Sequence, residues 1–159
     1  MASIAEKLQI EFFNDWIDVS NIFPSLAPSC LNSPPDASYN CIAWAANQTD
    51  VWWWPSPFIL PGYYWPPDVP ANTRLDSFYL AYKTLGYEVI REEDIDDFLH
   101  VIAIMGKDEN NVCHAMKRLS DGRWSSKLGK SFDIIHDLHE LDGVTYGHVI
   151  GFVGKSRKK

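Results

Sequence analysis

The sequence predicts an α+β fold in which a helix bearing a cysteine packs on an antiparallel sheet. Three observations lead there. A short stretch with helical spacing begins at Cys41, where Ile42, Ala45 and Ala46 make an apolar stripe at intervals of three and four. The C-terminal half holds several short apolar runs separated by polar links of hairpin type. Between these regions lies an aromatic, Pro-rich segment that no continuous helix or strand can span. The length of 159 residues fits one domain. A domain of this size buries roughly 70% of its unfolded surface and needs neither metal nor disulfide to fold.

Residues 1–38 read as an N-terminal extension, a short amphipathic stretch followed by a loop that Pro24, Pro28, Pro34 and Pro35 keep irregular. Residues 39–159 read as the globular unit. Its first helix is expected from about Cys41 to Asn47, with Ser38 or Asn40 bonding the free N–H groups at its start. Trp52-Trp53-Trp54-Pro55 opens the aromatic loop, and Tyr63-Tyr64-Trp65-Pro66-Pro67 closes it. A second helix is expected from about Thr73 to Leu85, with Leu75, Phe78, Tyr79, Tyr82 and Leu85 on one face, Asn72 as cap and Gly86 as stop. The strands are expected at Glu88–Arg91, His100–Met105, Val112–Leu119, Arg123–Lys127 and His148–Val153. A helical segment over about Ser131–Leu141 precedes the last of them. The acidic run Glu92, Glu93, Asp94, Asp96 and Asp97 reads as a solvated link.

Composition narrows the function classes. Hydrophobic residues make up 46% and charged residues 22%, which are globular values. A net charge of −7 repels phosphate backbones, so no nucleic-acid partner is expected, and the basic tail Lys155–Lys159 reads as a solvated end. The three cysteines, Cys30, Cys41 and Cys113, are too few and odd in number for a disulfide scaffold. No apolar run reaches membrane-spanning length, and the N-terminal residues lack a signal-peptide core. The expected location is therefore cytoplasmic, or exported without a recognisable signal peptide. No Gly-rich phosphate loop is present, and His136 and His139 lack further metal partners, so neither cofactor nor metal is expected.

The chemistry centres on Cys41. A thiol attacks as thiolate, and its free pKa of about 8.5 falls at a helix N-terminus, where N–H groups stabilise negative charge. Such a nucleophile needs a base, and the base needs an orienting group. His114 sits on the expected strand Val112-Cys113-His114-Ala115-Met116. Adjacent strand residues point to opposite faces, so Cys113 and His114 are not both expected to face Cys41. Ser126 on the next strand and His136 are alternatives for the orienting group, with Asp121, Asp133 or a backbone carbonyl behind them. Asn40 is a candidate oxyanion donor beside the Cys41 N–H. Trp44, Trp53 and Trp54 are candidates for the substrate surface, although the Trp52–Trp54 run also reads as packing for a loop without regular hydrogen bonds.

A cysteine opening a helix, a histidine on a later strand and a polar residue on the next resembles the papain-like superfamily of cysteine hydrolases. His114-Ala115 followed by a small hairpin is similar to its compact amidase and peptidase branches. The chain from Tyr39 onward also resembles an uncharacterised family of small bacterial proteins with a Tyr39-Asn40-Cys41 helix start, a Trp52-Trp53-Trp54-Pro55 loop and a Ser126-Lys127-Leu128-Gly129 hairpin. The resemblance implies a papain-like catalytic domain over 39–159 that hydrolyses or transfers an amide bond of a peptide or protein substrate, through Cys41 and His114. The sequence departs from the papain pattern in two places: no Gln precedes the cysteine, and no Asn stands in the orienting position. A non-catalytic papain-like module that holds a protein, inhibitor or glycan partner with its aromatic loop is the alternative expectation.

Overall fold

The computed structural model of the chain describes residues 23, 26, 31–33, 38–56, 61–128, 133–143 and 145–156. The amphipathic stretch expected near the N-terminus, Cys30 and most of the Pro-rich loop before Ser38 lie outside the described residues. The architecture is α+β. A seven-stranded, antiparallel sheet has the order β1-β8-β7-β6-β5-β9-β4, built from Leu31–Ser33 (β1), Glu88–Ile90 (β4), His100–Gly106 (β5), Val112–Arg118 (β6), Trp124–Lys127 (β7), Asp133–His136 (β8) and His148–Lys155 (β9). Strands β5 to β8 form a meander, and β9 returns to the other side of β5.

Two α-helices are described. Helix α1, Cys41–Ala45, packs across β6 and β7, and helix α2, Leu75–Lys83, packs near β4 and β9. Helix α1 is shorter than its apolar spacing predicts, because Asn47 turns left-handed at φ 61° and ends it. Arg74 rather than Asn72 occupies the α2 cap position, but the Asn72 Oδ1 accepts from the Arg74 N–H and the Ser77 hydroxyl, so it still anchors that end. Gly86, at φ 94°, takes the chain out of the helix as expected of a C-terminal glycine.

Three further differences from the sequence expectation have physical reasons. The segment expected as helix over Ser131–Leu141 is strand β8 over Asp133–His136, followed by turns. Ile134, Leu138 and Leu141 do recur at helical intervals, but the ladder to β7 claims the backbone of the first four described residues. The acidic link is a 3-10 helix, Glu92–Asp97, in which Arg91 and Arg118 pair with Asp94 and Asp96. The aromatic loop holds a short parallel ladder, Trp52–Trp53 (β2) against Tyr63–Tyr64 (β3).

The sheet separates two buried clusters. On the helix face, Cys41, Ile42, Trp53, Trp54, Phe78 and Tyr82 pack on Ile102, Ile104 and Ala115. On the other face, Ala103, Met105, Cys113, Met116, Trp124, Ile134, Tyr146 and Phe152 pack together. Full burial of each large apolar side chain stabilises the fold by roughly 1.5–3 kcal/mol.

Candidate active site

Asn40 builds the start of α1. Its Oδ1 accepts from the Ala43 N–H at 3.2 Å and from the Trp53 N–H at 3.1 Å, while its Nδ2 donates to the Trp53 carbonyl at 2.9 Å. The side chain therefore caps the helix and fastens the aromatic loop to it. Asn40 is fully buried, and its amide is engaged with Trp53 on both edges rather than directed at a substrate carbonyl. Cys41, the first residue of the helix, is also fully buried. Trp44, half-buried, donates its indole N–H to the Ser125 hydroxyl at 2.9 Å and carries the Lys117 ammonium 3.6 Å above its ring. Trp53 and Trp54 are buried rings that pack on Tyr64 and Phe78, so neither presents a platform to solvent.

His114 occupies β6, also fully buried. Across the β5–β6 ladder it pairs with Met105, whereas Gly106 pairs with Val112, so Cys113 is an extra residue inserted on β6. That bulge cancels strict alternation. Cys113 lies in the same cluster as Met105, and His114 stacks on Tyr146 of that cluster. Cys113 and His114 thus face the same cluster, which strict alternation does not predict. The alternation that does hold runs from His114 to Lys117: Ala115 faces α1, and His114 faces away from it. Cys41 thus belongs to the helix-face cluster, while His114 stacks on Tyr146 of the other cluster, beside the region where β6 and β7 leave their ladder. That ladder pairs Lys117 with Ser125 and Arg118 with Trp124. Beyond it, His114 and Ser126 approach through their side chains.

The two alternatives for the orienting group act in series. The His114 Nε2 lies 2.9 Å from the Ser126 Oγ, the same Oγ lies 2.6 Å from the His136 Nε2, and the His136 Nδ1 lies 2.7 Å from the Asp137 carbonyl. One residue comes from each of the neighbouring strands β6, β7 and β8. Hydrogen-bond bookkeeping fixes the protons. A carbonyl only accepts, so the His136 Nδ1 carries its proton and its Nε2 accepts from the Ser126 hydroxyl. The Ser126 oxygen then accepts from the His114 Nε2–H. Neutral His114 is left with a bare Nδ1 lone pair, and this atom, buried, has no hydrogen-bond partner among the described residues.

Burial lowers the His114 pKa well below its ordinary value, and the nearby His136 lowers it further. Burial also lowers that of His136, opposed by the Asp137 carbonyl and by the carboxylates of Glu140 and Asp137. Both imidazoles are therefore neutral at pH 7, as the proton assignment requires. Tyr146 connects the two faces. Its ring lies 4.1 Å from the His114 ring at 8°, and its pKa is raised by burial first and then by the negative charge that Cys41 and Cys113 would carry as thiolates. Tyr82 is raised by burial and by Cys41 in the same way, and its hydroxyl donates to the Ile42 carbonyl. Tyr146 was not among the residues singled out from the sequence. The available signal was the pair Gly143 and Gly147 around it, which marks a tight turn before the last strand.

His139, the second histidine of the His136–His139 pair, is exposed and bonds Asp142. Among the described residues no group of three or more His, Cys, Asp or Glu side chains is placed to hold a metal, and no helix is long and apolar enough to cross a membrane. No curated protein and no solved structure matches the chain. The model of a domain of unknown function, DUF7689, matches residues 30–154, which is most of the 159-residue chain, and the protein belongs to that family.

Proposed function

We propose that the protein is a thiol-dependent hydrolase or acyltransferase acting on an amide bond of a peptide or protein, on a papain-like scaffold. The observation that carries this reading is the bare Nδ1 of His114, on a ring kept neutral chiefly by burial and in the tautomer that the Ser126–His136–Asp137 chain sets. A general base needs an available lone pair on a fixed ring, and a cysteine nucleophile needs such a base. Cys41 heads a capped helix, where the N–H groups favour thiolate. In the reaction, the His114 Nδ1 takes the thiol proton and the Cys41 sulfur attacks the carbonyl carbon. The oxyanion is met by backbone N–H groups at the helix start, and His114 returns the proton to the leaving amine. Hydrolysis of the thioester by water, or attack by an acceptor amine, restores the thiol. Ser126 and His136 are positioning residues. The sulfur and the Nδ1 must meet at the opening between β6 and β7.

The test is alkylation of the native protein with limiting iodoacetamide across pH, with the modified cysteine mapped. The expected result is fast labelling of Cys41 with an apparent pKa below the free-thiol value of about 8.5, slowed by His114→Ala. Labelling no faster than free cysteine sinks the proposal. A second reading, a non-catalytic binding module, is favoured by one observation: Cys41 and His114 are both fully buried. It predicts a Cys41 that stays unlabelled until the protein unfolds.

A further inference from the structure

We propose that Tyr146 is a positioning residue for His114, fixing the plane of the imidazole by face-to-face stacking and screening that face from water. Its role in a reaction rests on the Cys41–His114 reading above; its effect on the imidazole does not. The two rings are nearly parallel, at 8° and 4.1 Å, and both side chains are buried. A stacked ring covers the π face of an imidazole and leaves the in-plane lone pair of Nδ1 uncovered. Tyr146 thus restrains the base without consuming the atom that would accept a proton. Ser126 restrains the same ring from within its plane, at Nε2. Together they remove rotation about two different axes.

The turn that carries Tyr146 is itself fastened. Gly143 and Gly147 exchange backbone hydrogen bonds, N–H to carbonyl in both directions, at 2.9 and 2.8 Å. Gly147 adopts φ 76° and seats against the Gly106 backbone so closely that any Cβ would collide with the Gly106 carbonyl group. Gly106 lies at the end of β5 where the bulge of β6 begins. The turn is therefore locked to the irregularity that directs His114 to this face. On its other side, the Tyr146 ring packs on Phe23 at 5.3 Å. The titratable groups that act on the stacked pair include Cys41, Cys113 and His136.

The experiment uses the full chain with isotope-labelled histidine. In the wild-type protein, ring-current shielding by Tyr146 moves the His114 ring protons upfield, and the nitrogen shifts report the Nε2–H tautomer. Tyr146→Phe is expected to keep both. Tyr146→Leu, smaller and without a ring current, is expected to keep the tautomer that Ser126 sets, to broaden the His114 ring resonances as the imidazole plane is freed, and to slow Cys41 alkylation by up to about 100-fold, the cost of misplacing a reacting group. An unshielded His114 in the wild-type protein overturns the proposal without any variant, and so does a folded Tyr146→Leu protein whose His114 ring resonances stay as sharp as in the wild type. If wild-type Cys41 labels no faster than free thiol, the hydrolase reading fails, while the His114 ring resonances still decide the role of Tyr146.

Discussion

On the helix face of the sheet, the buried polar side chains of Asn40 and Ser125 are engaged in construction: one caps α1 and fastens the Trp53 backbone, the other accepts the Trp44 indole. On the opposite face, His114, Ser126 and His136 form a chain of hydrogen bonds that leaves one nitrogen bare. Ser125 and Ser126 are neighbours in sequence and opposite in direction, so a single strand serves both arrangements. Polar groups that hold a fold are satisfied at both ends. A buried chain that stops at an open lone pair has a cost without a structural return.

Acid acts most strongly on the histidine face. Burial holds His114 and His136 below their ordinary value of 6.5, so the unfolded chain binds protons that the folded chain refuses. The pair's contribution is present above about pH 6.5 and is lost as the pH falls from there toward the depressed folded values. The slope is up to about 1.4 kcal/mol per pH unit for each histidine. Urea titrations at a series of pH values should show this fall, and His136→Gln should flatten it; equal stability at pH 7.5 and 5.5 would contradict the neutral relay. Next in size, Asn40→Ala removes the α1 cap and the contacts to Trp53. It should destabilise the protein by roughly 3 kcal/mol in urea while the histidine tautomers stay unchanged.

Ser126→Ala leaves two buried imidazole nitrogens facing each other and should cost roughly 1–3 kcal/mol. Its distinctive mark is loss of the His114 Nε2–H tautomer in nitrogen spectra, and retention of that tautomer would show that the serine does not set it. Ser125→Ala is the smallest perturbation. It removes one partly buried hydrogen bond to Trp44 and should cost about 1 kcal/mol or less, with the spectra of His114 and His136 undisturbed. An equal effect of the two serine variants on His114 would erase the distinction between the faces.

Much of this was legible in the sequence where local rules act alone. The helix start at Cys41, the strands bearing His100–Gly106 and Val112–Arg118, and the stop at Gly86 follow from capping, apolar runs and glycine geometry. Strand β8 was not legible because four residues are too few to show alternation, and the apolar residues after them fall at helical spacing. Nor was the bulge at Cys113, since an extra residue on one strand is visible only against its partner. Ser126 and His136 could be named but only as rivals. That they act in series depends on β7 and β8 being neighbours in register, with Ser126 opposite Ile134 and Trp124 opposite His136. From its position beside Cys41, Asn40 is a candidate oxyanion donor, yet the aromatic loop returns to claim its amide, and no local pattern reports that contact.

The placement of the relay on three consecutive strands bears on the order in which the protein assembles. His114 and Ser126 are 12 residues apart and Ser126 and His136 are 10, so both links close loops of small entropic cost. Helix α1 must instead reach across a far longer stretch of chain, as the Trp44–Ser125 bond with its separation of 81 residues records. Closing a long loop costs more entropy before its contacts repay it, which favours the short-range links forming first. The meander can therefore join His114, Ser126 and His136 before helix α1 docks, and Cys41 would reach its buried place late in folding.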